Sequence, residues 1–426
     1  MVYWSDGVLG ERRGTASLQC SITPILHFIK EVPMAQVVNV KNTGLRGVTV
    51  ADTKISFIDG EKGILIYRGF RIEELAEHST FMEVAYLLLN GNLPGKNELE
   101  AFEKQVREAR DLPDYMSESF RKWPRDAKPM DVLQASVPLL AMSDPDLSND
   151  GRDASARMAL RLIARLPAVV AAWHRIRNGL EPLPPDRALS HAANFLWQLH
   201  GKKPDEETAR YLDICLILHA DHTFNASTFA CREVVSTRAH IYAGVAAGIG
   251  ALSGSLHGGA NAEVMKMLLE LESEKDIPGW VKMRLERGDR IMGMGHAVYK
   301  TMDPRAKYLK QIAKRLGEKS GKRWDDLSAQ IEEAGLEEFK RRGKPEIQPN
   351  VDFYSAPVYH MMGIPRDLMT PIFAMSRVAG WCSHIVEEKF AEAQEKPALY
   401  RPQAEYVGNY CGLMGCQYEL IEQRRQ

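Results

Sequence analysis

The chain has 426 residues, with 55 Lys and Arg against 56 Asp and Glu, so its net charge is −1. Hydrophobic residues make up 45% and charged residues 26%, the composition of an ordinary globular chain long enough for about two or three domains. This balance gives no electrostatic case for nucleic acid or membrane as a partner, and no run of about 18 apolar residues exists to cross a membrane.

Residues 1–33 stand apart from the rest of the chain. Gly7, Gly10, Gly14, Pro24 and Pro33 interrupt any periodicity, and neither a secretory nor a transit peptide pattern fits. A poorly ordered extension is expected there, or translation starting at Met34. From residue 45 to about 67, V-T-V-A-D, K-I-S-F-I-D-G and G-I-L-I-Y-R-G read as three short strands separated by Gly and Asp turns. Helical spacing dominates afterwards. Residues 81–90, 97–110 and 131–142 are helix-length stretches bounded by Gly, Pro or Asp.

In 153–178, Met158, Leu162, Leu166, Val169 and Trp173 recur at helical spacing. Arg157, Arg161 and Arg165 line another face, read as solvated, and Pro167 is expected to kink or split the helix. Residues 179–187 read as a loop. Gly244, Gly248, Gly250 and Gly254 punctuate the apolar stretch 238–256. Small residues let another helix approach, so this is read as a buried helix at a subunit or domain contact. Further helices are expected over 261–273, 304–317, 324–340 and 367–390. Six cysteines, Cys20, Cys215, Cys231, Cys382, Cys411 and Cys416, form no C-x-x-C pair. They read as reduced, buried thiols of a reducing compartment, with a cytoplasmic location following from that.

Four segments carry candidate chemistry: H-A-D-H-T-F-N-A-S-T with His219 and His222, S-L-H-G-G-A-N with His257, G-M-G-H-A-V-Y-K-T-M-D-P-R-A with His296 and Arg305, and P-N-V-D-F-Y-S-A-P-V-Y-H with Asp352. His257 and His296 sit in glycine-flanked breaks between helical stretches, where a ligand can approach the backbone closely. A structural role is the commoner fate of one such histidine; two of them with an acid after a Pro-Asn break point to a site. Asp352 alone would read as a helix N-cap. His219 and His222 share a helical face, but zinc needs three or four ligands. With no H-E-x-x-H and no cysteine cluster, no metal is expected. No G-x-S-x-G elbow, P-loop or dinucleotide fingerprint is present.

In this order and spacing, the last three segments resemble the signature blocks of the citrate synthase family. The similarity runs from G-L-R-G-V-T-V-A-D-T-K-I-S-F-I-D-G at about Gly44 to Y-R-P-Q-A-E-Y-V-G at about Gly408. The resemblance implies a mainly α, multi-helical fold with a large and a small domain and a minor β element near the N-terminus. The large domain would comprise 34–257 and 365–426, and the small domain 258–364. It implies a homodimer with a shared active site, condensing acetyl-CoA with oxaloacetate and hydrolysing citryl-CoA to citrate and CoA. Acetyl-CoA is then a co-substrate, and no tightly bound cofactor is expected.

The resemblance also implies roles for single residues. Asp352 is the base that deprotonates the acetyl methyl group, His257 donates to the enol or enolate oxygen, and His296 donates to the ketone of oxaloacetate. A neutral His257 suits its role if a backbone group holds its other nitrogen. His222, Arg305 and Arg377 contact oxaloacetate, with Arg401 contributed across the dimer. His219 is structural. Lys300 and Lys344 are candidate CoA phosphate contacts. Ala297 and Gln403 depart from the arginines common at those places, and the segment between Arg377 and Arg401 is longer than usual. The alternatives are a 2-methylcitrate synthase using propionyl-CoA and a non-catalytic ligand-binding homologue.

Overall fold

Alternating burial marks the first regular elements: Leu65 and Tyr67 face inward with no exposure, while Ile64 and Ile66 between them are half-buried. In the computed structural model, which describes residues 41, 44–321, 323–409 and 412–424, these belong to β2 (Ile64–Tyr67). It pairs antiparallel with β1 (Ser56–Asp59) and β3 (Phe70–Arg71). Of the expected strands, V-T-V-A-D forms none, having no paired edge, and the third strand is the short Phe70–Arg71 instead. The expected extension 1–33, Met34, Cys20 and Cys411 lie outside the described residues.

Sixteen helices follow among the described residues: α1 (Ile72–His78), α2 (Phe81–Asn90), α3 (Lys96–Glu108), α4 (Asp114–Lys122), α5 (Pro129–Ala141), α6 (Arg152–Arg177), α7 (His191–His200) and α8 (Glu206–His219). Then come α9 (Ala226–Ser236), α10 (Ile241–Ser253), α11 (Ala260–Glu270), α12 (Ile277–Glu286), α13 (Pro304–Ser320), α14 (Trp324–Arg341), α15 (Val351–Met361) and α16 (Met369–Lys389). The architecture is mainly α with a three-stranded sheet near its start. Local signals explain many boundaries. At α2, the Thr80 side chain accepts the Glu83 amide while Glu83 accepts the Thr80 amide, a reciprocal cap written in T-F-M-E.

Pro167 neither splits nor ends α6, which runs unbroken through it. The lost backbone bond is outweighed by burial of Leu162, Ile163, Leu166, Val169, Val170 and Trp173 against neighbouring helices. The arginine row on α6 is paired rather than merely solvated. Arg161 reaches Asp144 and Asp146 at 2.6 Å each, Arg157 meets Asp146 at 3.0 Å, and Arg165 donates to the Ala109 carbonyl.

The glycine-rich stretch forms α10, packed within the chain on α5, α9 and α16. A Cβ at Gly248 would collide with Cys231 Sγ and meet the Trp381 ring at 3.3 Å. The close approach expected of these glycines therefore occurs between helices of one chain.

The long α16 is buried over nearly its whole length, including Arg377, His384, Glu387 and Glu388. It packs against α2, α6, α8, α9 and α10. Helices α11, α13, α14 and α15 pack largely on one another, with α12 on α14. All sixteen helices lie in one compact unit, residues 51–426.

Cys215, Cys231 and Cys382 are free and buried. Cys416 is disulfide-bonded, which corrects the expectation of six reduced thiols. It lies on an exposed tail, where no core shields its sulfur. Among the described residues, no helix is long and apolar enough to cross a membrane.

Candidate active site

Three chain breaks and three helices, α13, α15 and α16, converge on one cavity of about 540 Å³. The first break is the turn between α8 and α9. Asp221 there is fully buried, and its carboxylate accepts the Thr223 amide at 3.1 Å and the Ser56 hydroxyl. The Tyr67 hydroxyl donates to the Asp221 carbonyl at 2.8 Å. These bonds tie the turn to the small sheet and set His222 in the cavity wall, with Nε2 3.3 Å from the Tyr299 hydroxyl.

The second break, between α10 and α11, carries His257. The Ser227 amide donates to His257 Nε2 at 3.1 Å, and the Ser227 hydroxyl lies 2.9 Å from the same atom. A backbone amide can only donate, so Nε2 accepts and Nδ1 carries the hydrogen.

The third break carries His296. The amides of Val298 and Tyr299 donate to its Nδ1 at 2.9 and 3.2 Å. Here Nδ1 accepts and Nε2 carries the hydrogen. The two histidines therefore hold opposite tautomers, each set by the backbone, and each has one N–H left for a ligand.

The His296 loop is stitched to the start of α15. Gly295 donates to the Gln348 carbonyl, Asn350 donates to the Gly293 carbonyl, and Asn350 Nδ2 donates to the Gly295 carbonyl, all at 2.8–2.9 Å. Asn350, not Asp352, caps α15: its side chain accepts the Asp352 amide at 2.9 Å. The Asp352 carboxylate is thus released from capping and lines the cavity. On its outer side, the His296 loop rests on the β1–β2 turn. Lys300 donates to the Gly60 carbonyl at 2.9 Å, and a Cβ at Gly60 would collide with the Val298 carbonyl.

Two buried arginines complete the wall. Arg305, in the first turn of α13, gives Nε and Nη2 to Asp303 at 2.9 and 2.7 Å. Arg377 on α16 gives Nε to the His219 carbonyl at 2.7 Å and lies over the Phe373 ring. His219 itself bonds the Cys215 carbonyl through Nδ1.

The charges follow from these surroundings. Burial lowers His257 to about 4, helped by Arg377, and lowers His296 to about 4, helped by Arg305. Burial also pushes His222 well below its ordinary value. At neutral pH all three are uncharged hydrogen-bonding groups. Enclosure raises Asp352 to about 6, against the opposing pull of Arg305 and Arg377. Burial lowers Arg377 only to about 10, so it stays charged. The cavity joins a carboxylate near its useful pKa, two N–H donors and two guanidinium groups. That set fits a small dicarboxylate beside a weak carbon acid.

His222, His257, His296, Arg305, Asp352 and Arg377 all line this cavity. Lys344 is exposed and lines an adjoining cavity of about 500 Å³ with Arg290 and Arg342; His296 and Ala297 border both. Lys300 and Arg401 are exposed and line neither. Sequence reasoning missed Ser227, Tyr299, Asp303 and Arg290. Ser227, Tyr299 and Asp303 lay inside the chemistry-bearing segments, but nothing in the letters shows which ring nitrogen or guanidinium they orient.

Residues 44–403 match the family model described as citrate synthase, C-terminal domain. The chain is 46% identical over 373 residues to a citrate synthase of Haloferax volcanii, covering 86% of this chain and 95% of that protein. It is similar to the crystal structure of citrate synthase from Pyrobaculum aerophilum, with TM-score 0.83, 40% identity and coverage of 90% and 95%. It is also similar to a citrate synthase of Thermoplasma acidophilum in a ternary complex with carboxymethyl coenzyme A and oxaloacetate. That match has TM-score 0.80, 33% identity and coverage of 89% and 99%.

Proposed function

Because the chain belongs to the citrate synthase family, an acyltransferase class, we propose that this cavity condenses acetyl-CoA with oxaloacetate and hydrolyses the product thioester to citrate and CoA. The carrying observation is the convergence of Asp352 with two histidines whose free N–H groups are set by backbone amides. Asp352 takes a proton from the acetyl methyl group. His257 Nδ1–H stabilises the negative charge developing on the thioester oxygen, and the carbon attacks a ketone polarised by His296 Nε2–H. Arg305 and Arg377 grip the carboxylates of oxaloacetate, with His222 as a further contact. Water then cleaves the thioester, releasing the CoA thiol.

In this reading, Lys344 and Arg290 in the adjoining cavity meet the CoA phosphates, Arg290 supplying a cation near Ala297. Lys300 is the weaker candidate, since it lines neither cavity. Residues 258–364, carrying α11 to α15, act as the small domain that closes on the flanking large domain and excludes water. The enzyme works as a homodimer in which Arg401 completes the neighbouring copy's site. Its exposure outside the cavity supports that, as do the exposed apolar residues Val407, Leu413 and Met414 of the tail, at 87%, 98% and 97%. The free core thiols support a cytoplasmic location, with the Cys416 disulfide as the opposing feature.

The test is thiol release by purified protein. CoA is expected to appear only when oxaloacetate and an acyl-CoA are both present, and faster with acetyl-CoA than with propionyl-CoA. Equal release without oxaloacetate would mark a plain thioesterase. A preference for propionyl-CoA would mark a 2-methylcitrate synthase, and no release a non-catalytic binder.

A further inference from the structure

Behind the cavity lies a buried charged network with no part in the chemistry above. Arg232 on α9 is fully buried; its Nη1 donates to Glu387 Oε2 at 2.7 Å and its Nε to Glu388 Oε2 at 2.9 Å. Nη1 also lies 3.2 Å from His384 Nδ1. Arginine only donates, so Nδ1 accepts and His384 Nε2 carries the hydrogen facing Asp221 at 3.3 Å. Asp221 directly precedes His222. Burying a guanidinium with three carboxylates incurs a large desolvation penalty, and hydrophobic replacements commonly do as well for stability alone. Such a network is weak evidence of added stability, and its geometry points to something it holds in place.

At its far end, Glu388 Oε2 also accepts the Tyr400 hydroxyl at 2.9 Å. The Tyr400 amide donates to Ser236 Oγ at 3.3 Å, and its ring meets Phe229 edge-on at 5.6 Å between centroids. Tyr400 is half-buried, whereas every residue from 401 to 409 is exposed. Tyr400 is thus the last anchored residue before Arg401. We propose that Glu388, steadied by Arg232, is a positioning residue for Arg401: it fixes the Tyr400 hydroxyl and so the point from which Arg401 reaches the neighbouring copy's site. This deepens the reading of Arg401 as acting in trans and rests on it.

Tyr400→Phe is the test. It removes one hydroxyl, keeps the ring on Phe229 and leaves Glu388 paired with Arg232. The KM for oxaloacetate is expected to rise about tenfold, with kcat and melting temperature little changed. The discriminating step is a mixed dimer with His257→Ala. There the Tyr400→Phe chain keeps its own His257 and receives Arg401 from a partner whose Tyr400 is intact. The single working site is expected to regain the wild-type KM. A defect that persists in the mixed dimer places Tyr400 in its own site and overturns the proposal. So does an unchanged KM in Tyr400→Phe when Arg401→Ala raises it. If Arg401→Ala leaves the KM unchanged, the trans reading of Arg401 falls, and this proposal with it. Should Tyr400→Phe fold poorly, Ser236→Ala removes the other anchor and is read by the same two measurements, with a KM rise of about threefold expected.

Discussion

Asp352→Asn is expected to lower kcat by about a thousandfold while oxaloacetate affinity, measured by calorimetry, changes by no more than about twofold. The substitution keeps the shape and the Asn350 cap, which bonds the residue 352 amide, but removes the proton acceptor. A carboxylate raised to about 6 also sets a pH dependence. The group works as the deprotonated base, so activity holds above pH 6 and falls about tenfold per unit below it. His257 and His296, at about 4, stay uncharged across that window and add no limb of their own there. The residual activity of Asp352→Asn is expected to lack the limb near pH 6. A limb that survives unchanged would assign it to another group, and loss of oxaloacetate binding would place Asp352 on the wrong substrate.

His257→Ala is expected to lower kcat by about a hundredfold to a thousandfold, the range for removing one donor to a developing oxyanion. Oxaloacetate should still bind, because the groups proposed to grip it stand on other elements. The Ser227 amide loses its acceptor, although its hydroxyl keeps the Trp381 indole donor at 3.1 Å and Asn225 Oδ1 at 2.7 Å. A stability loss of about 1–2 kcal/mol is therefore expected, small enough to leave the protein folded. Kinetics showing an unchanged kcat with a raised KM for acetyl-CoA would mean that His257 binds the ground state only.

The fold class was legible because most helices carry their own punctuation, as at Thr80 and Glu83 of α2. What failed were inferences in which tertiary packing overrides a local rule. Pro167 is expected to kink or split its helix; the split does not occur, because that helix is buried on several sides. V-T-V-A-D has strand composition but no edge to pair with. At the site, the glycine-flanked breaks marked His257 and His296, yet their tautomers depend on the Ser227, Val298 and Tyr299 amides. Asp352 looked like a cap because the competing cap, Asn350, lies two residues before it and is equally suited by composition. Arg161 looked solvated because Asp144 and Asp146 reach it only once α5 and α6 are packed.

The rest of the His296 loop on the β1–β2 turn bears on how damaging mutations in this protein would be sorted. Gly60 contacts no proposed substrate and lines no part of the cavity, yet any side chain there would act as a wedge under Val298 and tilt the loop whose amides hold His296. A random-mutagenesis screen for lost activity would accordingly return variants in this early hairpin. Sorted by distance from the cavity, they would be filed as folding defects. Their soluble yield would be near normal, and their lesion would be a misaimed imidazole.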